Sequence, residues 1–457
     1  MSDQDKWVQL GASLRARESG HALRTAHLAA WPAHDQARIL VPVAMPGEPN
    51  RLWAVAWGEP GQQPSVRAVA SPLDNPEQLA LWEWLADQLW PWALQEAEAN
   101  QCNAQLVMAS AEAAGVMQSA ADRLLRVDVN RQRVQGDPDL RAISKCAQLL
   151  WWTISEQARP GSHLVVPMQE ALDAHWAFGG MCGNLQDQLD WIGGTPPRQP
   201  GSPWIDLWPP EHGEQGQQLL RLVQSWRTKK HQQQDGDAIR RMLEETAVAI
   251  WQRVQDAWMV YRDSDLAPVP GLARWCRIDS GGWCATRDML ESGGAIAIHD
   301  KPMSGIRRFN RRTSMQDMWE HELMCSDPWR RLLAAARGEV IEGQALCRIP
   351  GTWTLVTDQL NVRLRQGDLV HRLSDLRRHY TVRAVHLRGE QRHIELQGNT
   401  VGLGEFEVLV PRQPIDSTGR SVQMADWVAD HRSPIPSRPA GQPPSDLMQR
   451  LARAMKP

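Results

Sequence analysis

Between Ala345 and Val410 the chain alternates apolar and polar residues in short runs: Trp353/Leu355, Val362/Leu364, Leu369/His371, Thr381/Arg383/Val385 and Ile394/Leu396. Gly351, Gly367, Gly389 and Gly398 punctuate them. Side chains on a strand point alternately to its two faces, so a period of two broken at short intervals by glycine predicts a small antiparallel barrel. Nothing helical satisfies that stretch. The Pro-rich segment after it reads as a departure from the barrel.

Upstream, Ile39–Met45 (ILVPVAM) and Leu52–Trp57 (LWAVAW) are apolar runs bounded by Pro, Gly and Glu, and both read as strands. Val66–Ala70 is placed to pair with the second as a hairpin. A helix is expected over Pro76–Asn100, with Leu81, Leu85, Leu89 and Trp92 on one stripe and a kink or break at Pro91. A strand (Gln105–Ala109) and a helix (Ala111–Leu125) follow. Next come a helix over Leu140–Gln157, a strand over His163–Pro167 and helices over Gln169–Trp176 and Leu185–Ile192. The alternation of strands and helices predicts an α/β layer.

The run LWAVAWG…LALWEWLADQLWPW…AQLVMASAEAAGVMQSAADRLL resembles the divergent RNase H-like module in the N-terminal region of large bacterial superfamily-1 helicases. A looser likeness continues through HLVVPMQEALDAHWAF towards the barrel. The resemblance implies an RNase H-like fold, a nucleic-acid setting such as DNA processing or anti-phage defence, and a helicase or nuclease as partner. It also exposes a departure. Such nucleases hold two metal ions with carboxylates, the first on the opening strand, and neither Ile39–Met45 nor Leu52–Trp57 contains Asp or Glu. Glu59 and Glu112 stand alone near strand ends, so the module reads as catalytically inactive.

The fold class expected is therefore α/β and α+β, multidomain. An RNase H-like α/β region spans 1–195, a Pro/Gly-rich linker 196–216, and a helical region with an arginine cluster 217–338. A β-barrel spans 339–412, and a Pro-rich tail with a short amphipathic helix spans 413–457. In the middle region Leu219, Leu222, Trp226, Met242, Val248, Trp251, Val254 and Trp258 suit an antiparallel helical hairpin. Gly281-Gly282 and Gly293-Gly294 read as turns.

The formal charge of −3 excludes a generally cationic coat protein, but acidic residues dominate the first 130 positions and basic ones dominate 301–412. Arg307, Arg308, Arg311 and Arg312, with Arg377 and Arg378 on a barrel strand, are the candidate phosphate contacts, since a guanidinium fork matches phosphate oxygens. Their alternative is a solvated face paired with Glu320, Glu322 and Asp327. In the tail, Leu447, Met448, Leu451 and Met455 form an apolar stripe for a protein partner's groove, or for docking back on the barrel.

Seven scattered cysteines predict reduced thiols in the cytoplasm rather than a disulfide framework. Cys276 and Cys284 read as core cysteines, for no CxxC pair presents two thiolates to one ion. The 23 Trp against 3 Phe and 2 Tyr read as coding bias and mostly as core. No phosphate-cradling loop, nucleophile elbow, cofactor motif or membrane span is found. The function expected is a non-catalytic accessory or scaffold subunit working beside a helicase or nuclease chain. The alternatives are a divergent metal-dependent nuclease and a purely structural assembly protein.

Overall fold

The structure, a computed structural model, describes residues 3–26, 28–45, 51–71, 73, 75–98, 104–128, 138–157, 162–207, 214–227, 232–264, 266–270, 272–296, 316, 319–349, 352–359, 361–373, 375–398 and 406–411. Its centre is a five-stranded sheet of β1 (Arg38–Val43), β2 (Ala54–Gly58), β3 (Ser65–Ala68), β4 (Leu106–Met108) and β5 (Val165–Pro167). The order across it is β3-β2-β1-β4-β5. β1, β2 and β3 pair antiparallel, whereas β1–β4 and β4–β5 are parallel. The antiparallel β1–β2–β3 meander and the helical crossovers to β4 and β5 follow from the connections: consecutive strands reverse without a helix, and a parallel return needs one.

Ile39 to Val43 are all buried, and the same holds for Ala54 to Trp57. Continuous burial on a strand means that both faces are covered. The helices α2 (Asn75–Glu98), α3 (Ala111–Arg123) and α4 (Pro138–Gln157) supply one set of contacts; the 31-residue α8 (Gln232–Arg262) lies against β1, β2 and β3. Gly58 permits part of this, because a Cβ there would stand 3.1 Å from the Trp251 ring. Truncating one of these core leucines, such as Leu85, to Ala costs about 2–5 kcal/mol. Trp53, Trp82, Trp251, Trp258 and Trp283 are fully buried, as expected of core tryptophans.

Local rules set the helix ends. Ser110 caps α3 by accepting from Ala113 N–H, and Asn184 caps α6 (Leu185–Gly193) by accepting from Asp187 N–H. Gly194 closes α6 at φ 76°, in the left-handed region that suits glycine. Pro91 lies inside α2 without ending it; Leu81, Leu85, Leu89 and Trp92 are buried on either side and hold the helix through the missing N–H. The first helix, α1 (Asp3–Ser19), turns Ala12 and Ala16 inward and leaves Leu10 and Leu14 exposed.

α7 (Glu214–Arg227) and α8 form the expected hairpin. Its inner face on α8 is Ile239, Leu243, Ala247, Ile250, Trp251, Val254 and Trp258, with Val248 exposed rather than buried. These residues share one core with the sheet. Residues 196–207, read as linker, are partly tied down: Gly201 N–H donates to Asp187 Oδ2 at 2.8 Å, and Asn184 Nδ2 to Ser202 O at 3.1 Å.

Gly281-Gly282 is a correction. Both lie inside α9 (Leu272–Glu291), whose buried Leu272, Trp275, Asp279, Trp283 and Leu290 outweigh the helix cost of two glycines, about 1 kcal/mol each. Gly282 brings α9 against α4, since a Cβ there would meet the Trp152 ring at 3.4 Å. Gly293 does turn the chain, at φ 87°.

α10 (Pro328–Arg337) leads into the barrel, capped by Asp327 and ended by Gly338 at φ 75°. Gln359 Nε2 donates to Ala335 O and Asn361 Nδ2 to Ala336 O, satisfying carbonyls of the last helical turn, and Gln359 Nε2 also reaches Val340 O. The strands are β6 (Ile341–Ile349), β7 (Thr352–Thr357), β8 (Leu369–Arg372), β9 (Asp375–Arg388), β10 (Gln391–Gln397) and β11 (Phe406–Pro411). They pair antiparallel in the order β6-β7-β10-β9-β8-β11, and β11 returns to β6 through Ile341↔Leu409, closing the ring. Ile341, Leu355, Leu364, Val370, Tyr380, Val382, Ile394 and Leu396 fill it. The mixed α/β architecture and the antiparallel C-terminal sheet are thus as expected. Among the described residues no helix is long and apolar enough to cross a membrane.

Candidate functional site

In a parallel α/β sheet the usual crevice lies outside the carboxyl ends of the strands. Here those ends are closed. Ala44, after β1, donates its N–H to Leu207 O at 3.1 Å. Ala109, after β4, accepts from Gln169 N–H at 3.0 Å. Asp206, 1% exposed, sits beside them and accepts from Gln169 Nε2 at 2.9 Å and from Leu185 N–H at 2.8 Å. Its other oxygen lies 2.8 Å from Arg253 Nε, so its charge is neutralised.

Three further acids stand near this edge. Glu170, in the first turn of α5 (Met168–His175), accepts from Ala111 N–H at 3.0 Å; its second oxygen is buried and has no hydrogen-bond partner among the described residues. Burial pushes its carboxyl above the ordinary range, and Asp173 and Glu112 reinforce the shift. Asp173 is raised chiefly by burial and accepts from Gln188 Nε2 at 2.8 Å. Glu170 and Glu112 come from the first turns of helices and Asp173 from the last turn of α5; β1 offers no acid.

The opposite, amino edge holds the one group of metal-competent side chains that converge among the described residues: His34, His163 and Cys276, each offering a ligand atom within 4.8 Å of the others. His34 precedes β1, His163 precedes β5, and Cys276 is on α9. Gln105, fully buried before β4, ties the first two together. Its Oε1 accepts from His34 N–H at 3.2 Å, and its Nε2 donates to Pro32 O and His163 O, both at 2.9 Å. Asp279, one helical turn beyond Cys276, accepts from His163 N–H at 3.0 Å and sits 3.1 Å from His163 Nδ1. The two imidazoles meet edge to face at 5.3 Å. Burial lowers the His34 imidazole to about 4 and raises the Cys276 thiol to about 11. A thiol raised in this way is no nucleophile at neutral pH, since only the thiolate attacks.

Sequence reasoning weighs Cys276 only beside Cys284, and misses His34 and His163. Their signal was faint: polar residues at the mouths of two apolar strands. Arg307, Arg308, Arg311 and Arg312 lie outside the described residues, as do Leu447, Met448, Leu451 and Met455. Arg377 and Arg378 are on β9, with their side chains outside the description. Around them Arg363, Arg365, Arg383 and Arg388 are exposed on the barrel. Cys146, Cys182, Cys276, Cys284 and Cys325 are unbridged. Compared with family models, with curated proteins and with solved structures, the chain matches none.

Proposed function

We propose that this chain is a non-catalytic accessory or scaffold subunit of a nucleic-acid-processing complex, built on an RNase H-like module that has no metal-dependent chemistry. The single observation that carries the reading is the pairing of topology with a sealed carboxyl edge. The order β3-β2-β1-β4-β5, with β2 antiparallel and β4 on the same side as β5 and parallel to β1, supports the RNase H-like reading. Where the two-metal chemistry needs a carboxylate on the opening strand, this chain has the apolar RILVPV run followed by Ala44, covered by Leu207. Asp206 is occupied by Arg253. The closed barrel and its exposed arginines offer a second surface, of the kind small barrels use for single strands or for a neighbouring protein. A helicase or nuclease chain would supply the chemistry.

A second reading, a divergent metal-dependent nuclease, draws on the unpartnered oxygen of Glu170 near Glu112 and Asp173. One experiment separates the readings: incubate the protein with labelled single- and double-stranded DNA and RNA and Mn²⁺, and run a mobility shift on the same oligonucleotides. Binding that weakens with salt and no cleavage supports the accessory subunit. Cleavage abolished by Glu170→Ala supports the nuclease, and neither binding nor cleavage leaves the structural assembly protein.

A further inference from the structure

We propose that His34, His163 and Cys276 hold a single transition-metal ion of the zinc class, with Asp279 as the residue that positions His163. The chemistry of the donor set comes first: two imidazoles and one thiolate suit zinc, and not calcium or magnesium, which take oxygen ligands. Geometry comes second. Ligand atoms around a tetrahedral zinc stand about 3.3–3.8 Å apart when the bonds are about 2.0–2.3 Å. The three atoms here already lie within 4.8 Å of one another, so closure by at most about 1.5 Å completes the site.

The surroundings are those of a prepared site rather than of three polar residues meeting by chance. His34 Nε2 is buried and makes no hydrogen bond among the described residues, a costly arrangement unless something accepts its lone pair. Asp279 Oδ2 accepts from the His163 backbone N–H and stands 3.1 Å from His163 Nδ1; a carboxylate beside a ligating histidine orients the ring and raises its basicity. Gln105 sets the spacing of the two histidines by binding the backbone of both. Cys276 and Asp279 lie three residues apart on α9, so one helical face carries both a ligand and the group that orients another. The ion would fasten α9 to the amino edge of the sheet, far along the chain from both histidines. With three protein ligands, the fourth position is left to water or a small anion.

The test starts from protein stripped by dialysis against a chelator and titrated with Zn²⁺ against a chromophoric competitor, then repeated with Co²⁺. The expected result is one equivalent bound, a rise in melting temperature with zinc, and a thiolate-to-cobalt charge-transfer band. Cys276→Ser should abolish the band, and His34→Ala should remove the thermal shift and weaken binding by roughly 100-fold, the upper end of the effect of losing a metal-site group. Asp279→Asn should weaken binding by about 10–100-fold while keeping the band, the mark of a positioning role. Cys182→Ser should change nothing. If Cys276→Ser does not fold, the half-buried loop residue His34 decides alone. Wild-type protein that binds no zinc, or a folded His34→Ala variant that binds as wild type does, overturns the proposal.

Discussion

His175 should make this protein sensitive to mild acid. Its ring is 1% exposed. Nε2 accepts from Ala30 N–H at 3.2 Å, and Nδ1 stands 2.6 Å from Ala171 O, an arrangement only the neutral Nδ1–H tautomer satisfies. Tyr261 packs edge-on at 5.1 Å and binds the backbone of Trp31 through its hydroxyl, so the ring is part of a knot holding the approach to β1. Burial lowers the imidazole to about 4; Arg330 adds to the shift, and the Ala171 and Leu28 carbonyls and Asp327 oppose it. The folded value lies below the unfolded one of 6.5, so the unfolded chain binds the proton more tightly. Stability is therefore full above about pH 6.5 and is lost as pH falls towards 4. Between pH 7 and pH 5 the loss is about 2 kcal/mol, or about 20-fold in the folding equilibrium. Urea unfolding of wild type and His175→Gln at both pH values isolates the term, because other titrations cancel in the difference. Labelling histidine Cε1 with ¹³C reads the same quantity directly. A resonance missing from His175→Gln that titrates near 6.5, or equal acid loss in both proteins, would refute the reasoning.

Asp206→Ala should destabilise by about 3–5 kcal/mol, because it strands the Arg253 charge, 14% exposed; the double replacement Asp206→Leu with Arg253→Met should recover much of that loss in thermal melts. Replacing Arg307, Arg308, Arg311 and Arg312 with Ala should weaken nucleic-acid binding equally for unrelated sequences and cut the logarithmic salt slope by roughly one per lost phosphate contact; unchanged affinity in a mobility shift returns them to a solvated face. Deleting 440–457 should cost a partner in pull-down without changing the melting temperature if Leu447, Met448, Leu451 and Met455 dock in another protein. A lower melting temperature with the partner retained assigns them to this chain's own fold.

What the sequence made legible was whatever is written locally. The acid-free runs at Ile39–Met45 and Leu52–Trp57 became β1 and β2 because continuous apolar residues between breakers fit only a strand covered on both faces. The alternation from Trp353 to Leu396 became a barrel because period two cannot be buried on a helix. Local weighting failed at Gly281-Gly282, where the adjacent Trp283 and the more distant Trp275 and Leu290 are buried and hold the helix through both glycines. It failed more deeply at the amino edge. His34, His163 and Cys276 are each more than a hundred residues from the next, so no spacing could mark them as a set, and the absence of a CxxC pair argued against one. Their meeting is decided by the strand order, which puts the starts of β1, β4 and β5 side by side, and by Gln105, which bonds to both flanking segments from the strand between them. A site assembled across parallel strands becomes readable only once their neighbours are known. At that point the histidines at the mouths of β1 and β5 cease to be separate polar residues and become one donor pair facing α9.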